Sequence, residues 1–118
     1  MTPGRARLCR AADFAAVFAK GRTAVDPALV LRWLPGGELR TGFCVGKQLG
    51  TAVRRNRIKR LLRESWRRLA PRAENPADLV FVARCGGVQF SLDEWTAVME
   101  KLLVRAGIVP RRESGENA

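Results

Sequence analysis

The sequence predicts an α+β domain in which helices pack on a small sheet, and three observations predict it. Two long stretches, Thr51–Leu69 and Leu92–Ala106, repeat apolar residues at helical spacing. Three shorter runs, 28–34, 40–45 and 79–83, have the length and composition of strands. Gly and Pro clusters separate them. A chain of 118 residues, 47% of them hydrophobic, has enough apolar surface for one core and too little length for two. Residues 1–109 are therefore expected to form a single domain. Residues 110–118, with nothing to pack, are expected to be a disordered tail.

In chain order, Phe14, Val17 and Phe18 form the apolar stripe of a short helix that ends at Lys20, with Gly21 as its stop. Its N-cap is weak, because Ala11 and Ala12 stand where Ser or Asn would serve. Residues 28–34 are almost wholly apolar, Pro35-Gly36-Gly37 supplies a turn, and Arg40–Val45 resumes, which reads as an antiparallel hairpin. Arg32 interrupts the first of these strands and gives it one solvent or ligand face. In the helix over 51–69, Ile58, Leu61, Leu62, Trp66 and Leu69 share one face, and Arg57, Lys59, Arg60, Arg63, Arg67 and Arg68 surround Asn56 on the other. Val53 projects onto that cationic side and Arg55 toward the apolar edge, so the first turn is expected to be irregular or to enter from a loop. Residues 79–83 form the last strand, rich in Val and Phe. Ser91 with Glu94 is a capping box opening the final helix, whose stripe is Leu92, Trp95, Val98, Met99, Leu102, Leu103 and Ala106, with Gly107 as the stop. The three tryptophans are expected to fill the core, each indole N–H finding a local acceptor.

The net charge of +11 is not spread evenly. Between Arg40 and Arg72 stand 11 basic residues and one acid, Glu64, while the other 85 residues hold 11 basic and 10 acidic ones. A concentrated positive field captures polyanions, either nucleic acid or an anionic membrane. Eighteen of the 22 cations are Arg, whose planar fork grips phosphate with two hydrogen bonds and stacks on bases. The apolar side of the cationic helix is needed for the core, which leaves nothing to insert into a membrane. No run of apolar residues is long enough to span one, and the N-terminus lacks the apolar stretch of a secretion signal. Cys9, Cys44 and Cys85 are an odd number without a CxxC pair, and are expected to be reduced, packed thiols of a cytoplasmic protein. With no His, no Tyr and no paired carboxylates beside a nucleophile, no catalytic set and no metal site can be assembled.

The strongest constellation is Arg55-Asn56-Arg57-Ile58-Lys59-Arg60, followed at helical spacing by Arg63 and Arg67. Ordinary solvated helix faces mix signs, whereas eight cations between Arg54 and Arg68 meet a single acid, a pattern that repels itself without a polyanion. Asn56 adds a donor and an acceptor for a sugar hydroxyl or base edge. Gly46-Lys47-Gln48-Leu49-Gly50 either lets backbone amides approach phosphate or is a plain turn; it lacks the ending of a P-loop. Phe14 and Phe18 are core residues or, at the rim of a basic cleft, stacking platforms for an unpaired base.

Gly42-Phe43-Cys44-Val45-Gly46-Lys47, then Leu49-Gly50-x-Ala52-Val53, then Arg55 through Glu64, resemble the signature of the protein component of bacterial ribonuclease P. Asp13-Phe14 with Val17-Phe18, and Asp78 through Arg84, resemble that family's first helix and last strand, so the likeness covers roughly Arg7 to Ala106. The resemblance implies a two-layer α+β sandwich of order αβββαβα, similar to domain 2 of ribosomal protein S5, with a left-handed β-α-β crossover where right-handed ones prevail. It implies a noncatalytic subunit of the endoribonuclease that removes the 5′ leader of precursor tRNA in the cytoplasm. The RNA subunit carries the hydrolysis with Mg²⁺, and the protein binds no cofactor, DNA or membrane. Arg55, Asn56, Arg57, Lys59, Arg60, Arg63 and Arg67 would then contact the catalytic RNA, and Phe14, Phe18, Arg32 and Lys47 the leader. Two departures stand out: Arg32 replaces a frequent aromatic in the cleft, and Gly46-Lys47-Gln48 has one cation fewer than the usual Ser-Lys-Lys. The alternative from the residues alone is a ribosome-associated basic RNA-binding protein.

Overall fold

The computed structural model describes residues 6–8 and 11–111. Along the chain these form β1 (Ala6–Arg7), α1 (Ala11–Lys20), β2 (Arg22–Val25), β3 (Leu29–Pro35), β4 (Arg40–Cys44), α2 (Ala52–Leu69), β5 (Ala77–Ala83) and α3 (Leu92–Ala106). The α+β class holds, and from α1 onward the order is the expected αβββαβα. The strands make one mixed sheet in the order β1-β4-β5-β3-β2. The short strand β2, absent from the reading of the residues alone, pairs antiparallel with β3 across the Asp26-Pro27-Ala28 turn.

The expected hairpin between the strands at 28–34 and 40–45 does not form. The last main strand, β5, lies between them, antiparallel to β3 and parallel to β4, with Arg40 opposite Asp78 and Pro35 opposite Ala77. The reason lies in β5 itself: Ala77–Ala83 is buried on both faces, and such a strand is stable only with neighbours on both edges. Pro35-Gly36-Gly37 accordingly serves a longer crossing, in which the Gly36 N–H donates to the Pro76 carbonyl at 3.3 Å. β4 and β5, being parallel, are joined through α2 as a β-α-β unit.

Alternation sends Leu29, Leu31, Leu79, Phe81 and Ala83 to one face of the sheet, where α2 and α3 cover them with Ile58, Leu62, Trp66, Trp95, Met99 and Leu102. Phe81 anchors this core, with its centroid 5.7 Å from Phe43 and 6.1 Å from Trp66. Within the seam between the two long helices, Ser65 is fully buried; its hydroxyl donates to the Leu61 carbonyl and accepts from Thr96. The capping box of α3 is formed in both directions, and Gly107 ends that helix in the left-handed region at φ 76°. One expectation about the core fails. The Trp95 indole nitrogen is buried without a hydrogen-bond partner among the described residues, its ring closed in by Phe90 edge-on at 5.2 Å and by Gly87 beneath.

The opposite face is covered only in part. Here α1 lays Phe14 and Val17 over Val80, Leu34 and Leu8, and the cluster is much smaller. Among the cysteines, Cys44 is half-buried on this face but Cys85 is exposed at the end of β5, where the chain leaves the sheet, so it is not packed; Cys9 lies outside the described residues. Of the expected tail, 110–118, only Pro110 and Arg111 are described, and the Pro110 carbonyl accepts from Arg72. Among the described residues no helix is long and apolar enough to cross a membrane.

Candidate nucleic-acid interface

The cationic surface begins at the entry to α2. Lys47–Leu49 forms a 3-10 turn whose buried Leu49 pins the loop to the core and leaves Lys47 exposed. Gly50 follows at φ 123°, a region L side chains rarely adopt, and turns the chain so that Thr51 caps the helix; its Oγ1 accepts from the Arg54 N–H. The first turn of α2 is therefore regular and enters from a loop, the second of the two expected outcomes. The cap satisfies the backbone directly, and Val53 is left 80% exposed among arginines.

Because Ile58, Leu62, Ser65, Trp66 and Leu69 hold one side of α2 in the core, the remaining positions are fixed outward. Asn56, Arg57, Arg60, Arg63 and Arg67 are exposed, with Arg55 and Lys59 half-buried at the edges. They differ in what they already hold. Arg55 donates Nε to the Gly50 carbonyl at 3.3 Å, which braces the loop. Arg67 reaches Glu64 at 3.5 Å, and Arg68, at the far end, reaches Asp93 at 3.0 Å. Among the described residues Arg54, Arg57, Lys59, Arg60 and Arg63 have no acidic partner. Nor does the Asn56 amide make a hydrogen bond to another described residue.

A second group gathers where α1 crosses the sheet. Phe14 lies on the backbone of β4: a Cβ at Gly42 would stand 2.6 Å from its ring, so glycine there sets how deeply the ring seats. One turn on, Phe18 is 42% exposed. Arg32, from β3, places its guanidinium 5.1 Å from the Phe18 centroid and donates Nη2 to the Phe18 carbonyl at 2.7 Å. Its Nε is buried and has no partner among the described residues. Arg32 thus holds one side of the Phe18 ring, leaving the exposed part of that ring as an aromatic surface beside a cation. On the same face the Cys44 thiol is pushed up in pKa by burial, partly opposed by the nearby Lys59 cation.

What fixes α1 over the sheet is an ion cluster. Arg40 binds Asp78 through two hydrogen bonds, 2.8 and 2.7 Å, and reaches Asp13 of α1 at 3.2 Å. The Asp78 bonds, against the cost of burial, raise the Arg40 pKa further, so this cation stays charged. Of the residues expected to act together, Phe14, Phe18 and Arg32 do converge, and Arg55 through Arg67 do share one face. Lys47 belongs with the loop entering α2. Sequence reasoning counted Arg54 among the eight cations but not among the RNA-contacting residues, although its spacing of three from Arg57 puts the two on neighbouring turns, and it omitted the Asp13–Arg40–Asp78 cluster, which only the β4–β5 register reveals.

A sequence model of the Ribonuclease P family matches residues 2–107. The ribonuclease P protein component of Symbiobacterium thermophilum is 39% identical over 101 residues, which covers 83% of this chain and 88% of that one. Among solved structures, the Staphylococcus aureus RNase P protein superposes with a TM-score of 0.80 at 26% identity, covering 87% of this chain and 96% of that one. The RNase P protein from Thermotoga maritima gives 0.78 at 27% identity, over 86% and 97%.

Proposed function

The chain belongs to the ribonuclease P protein family, as a protein component of the bacterial type, and we propose that it is the RNA-binding subunit that helps the enzyme's RNA remove the 5′ leader of precursor tRNA. The observation that carries this reading is the outer face of α2, where five cations without acidic partners among the described residues stand around Asn56 on a helix locked into the core by its other side. Such a face neutralises phosphates across a groove, and Asn56 offers hydrogen bonds to a sugar or base edge. Arg55 and Arg67 join it at the two ends.

Phe18 and Arg32, held in place above the sheet by the seated Phe14, are the seat of the single-stranded leader. Phe18 supplies a stacking surface, and Arg32 adds positive charge beside it. Lys47 extends the positive field along the loop into α2. Among the described residues no group of three or more His, Cys, Asp or Glu side chains converges on a metal-sized space. The hydrolysis and its Mg²⁺ belong to the RNA. What this chain supplies is positioning and the offsetting of phosphate repulsion between two polyanions, which lowers the Mg²⁺ needed.

The test is cleavage of a 5′-extended precursor tRNA by a bacterial ribonuclease P RNA at low Mg²⁺, with and without this protein. Cleavage is expected only with both components. Binding to that RNA is expected to fall with salt at a log–log slope on the order of −5 if ~6 phosphates are neutralised. Binding that never changes the cleavage rate would overturn the reading in favour of a ribosome-associated RNA-binding protein.

A further inference from the structure

At the start of α2 the cationic face carries a cavity of about 530 Å³, lined by Thr51, Val53, Arg54, Arg57, Val88 and Gln89. It is formed by two segments far apart in sequence: the first turns of α2, and the loop that links β5 to α3. We infer that this cavity seats one unpaired nucleotide of a bound RNA, its base between Val53 and Val88 with Gln89 at its edge, and its phosphates on Arg54 and Arg57. The inference rests on the RNA-binding reading and adds to it a site for a base where the helix face alone offers sites for phosphates.

Val53 is out of place on its helix face. Among the described residues it is the most exposed large apolar side chain, and it stands among arginines on the solvent side of a helix. A regular first turn, enforced by the Thr51 cap, keeps it there. A departure from binary patterning that the local backbone actively maintains is the kind of inconsistency that marks a functional position. Phosphate recognition alone has no use for it. Val88 supplies a second apolar wall from the other segment, half-buried and packed against the core, so that wall is rigid. Gln89 beside it is exposed, and its amide has both a donor and an acceptor to offer.

The chemistry of the lining selects among ligands. Two guanidiniums without acidic partners among the described residues call for an anion; two aliphatic walls call for an apolar or aromatic body; one amide calls for a hydrogen-bonding edge. A nucleotide has all three. The volume falls within the ~300–1,000 Å³ typical of small-molecule sites. Only a base out of the helical stack can enter such a space, so the nucleotide is unpaired.

The experiment uses the full chain in complex with a bacterial ribonuclease P RNA, first alone and then with precursor tRNA, and reads base-specific chemical reactivity alongside affinity over a salt series. Val53→Ser and Gln89→Ala change exposed side chains, and circular dichroism checks the fold of each. The unmodified protein is expected to protect one unpaired base, which either variant re-exposes, with a loss in affinity of about threefold to tenfold and an unchanged salt slope. Val25→Ser, a second exposed apolar residue on the distant strand β2, is expected to change neither readout. Whichever RNA carries the protected base is the source of the nucleotide. Val53→Ser and Gln89→Ala binding with unchanged footprint and affinity, while the unmodified protein shows steep salt dependence, would overturn the site and leave the RNA-binding reading standing. Absence of salt-dependent binding by the unmodified protein would overturn both.

Discussion

Arg40 and Arg57 present the same guanidinium in opposite situations. Arg40 stands 30% exposed between two carboxylates, with its bonds to Asp78 in a geometry set by the β4–β5 register. Arg57 is exposed on α2 with no acid beside it and like charges on the neighbouring turns. The first charge is spent inside the protein, where it fixes α1 to the sheet. The second is held out at a cost in self-repulsion that a bound polyanion relieves. Net charge does not distinguish the two; the partner of each cation does. Removing the first kind should act on folding, and removing the second on binding.

The largest expected effect is on the α2 side of this comparison. Replacing Arg57, Arg60 and Arg63 together by Ala should weaken binding to a bacterial ribonuclease P RNA by ~10²–10³-fold at moderate salt and flatten the log–log salt slope by about two to three. Urea unfolding should show unchanged or slightly raised stability, because like charges are removed. An unchanged slope would mean that these cations do not meet phosphate. Next comes Arg40→Met, which leaves Asp78 paired with no cation in a largely buried place. The expected loss is about 2–3 kcal/mol in urea unfolding, below the usual figure for a fully buried pair because the cluster is partly solvated. Replacing Asp13 and Asp78 by Asn in the same chain should recover part of that loss, since no carboxylate is then stranded. If Arg40→Met is neutral, the cluster is not what seats α1.

Phe14 and Phe18 repeat the comparison on one helix. Phe18→Ala should weaken binding of a leader-bearing precursor about tenfold relative to a leaderless one, and shift stability by less than about 0.5 kcal/mol, since the ring is already exposed. Phe14→Ala should instead destabilise the fold, by about 1–2 kcal/mol, by emptying the place over Gly42. Equal leader effects from the two would show that both rings touch the substrate.

Most of the fold was legible because periodicity and caps act locally. The stripe Leu92–Ala106, the Ser91–Glu94 box and the Gly107 stop are short-range signals, and the structure forms all three. The α2 face was legible for the same reason, as an 18-residue helix spaces its cations by geometry alone. What could not be read was long-range pairing. The segments at 29–35 and 40–44 look like a hairpin until β5, more than thirty residues later, is inserted between them. The four-residue strand β2 offers too little pattern to stand out beside Asp26-Pro27. The same limit hid the features that need two segments: the Arg40 cluster, the contact of Arg32 with Phe18, and the cavity joining Val53 to Val88. Val53 alone signalled something, as an apolar residue on the wrong side. Of the two resolutions it suggested, an irregular turn or entry from a loop, the second holds: the Thr51 cap keeps the turn regular and the exposure stands.

The smallest expected effect tests whether a paired cation at the surface behaves like Arg40 or like Arg57. Lys101 of α3 holds Asp26 at 2.5 Å, with Lys101 half exposed and the carboxylate nearly buried. That bond, with the Ala28 N–H and the charges of Lys101 and Arg105 in support and burial in opposition, sets the Asp26 pKa below its ordinary 3.8. A carboxylate whose native pKa is depressed contributes stability that is present above the unfolded value and lost as pH falls through the native one. Lys101→Met should therefore cost on the order of 0.5–1 kcal/mol at neutral pH, reduced by solvent screening at the exposed lysine. The gap between the two proteins should close as pH drops below 3.8 and Asp26 takes up its proton in both. Urea midpoints measured from pH 7 down to pH 3 read this directly. A gap that persists at low pH would assign the effect of Lys101 to the packing of its aliphatic stem, whereas a gap that closes places it with Arg40 among the cations whose partner is the protein itself.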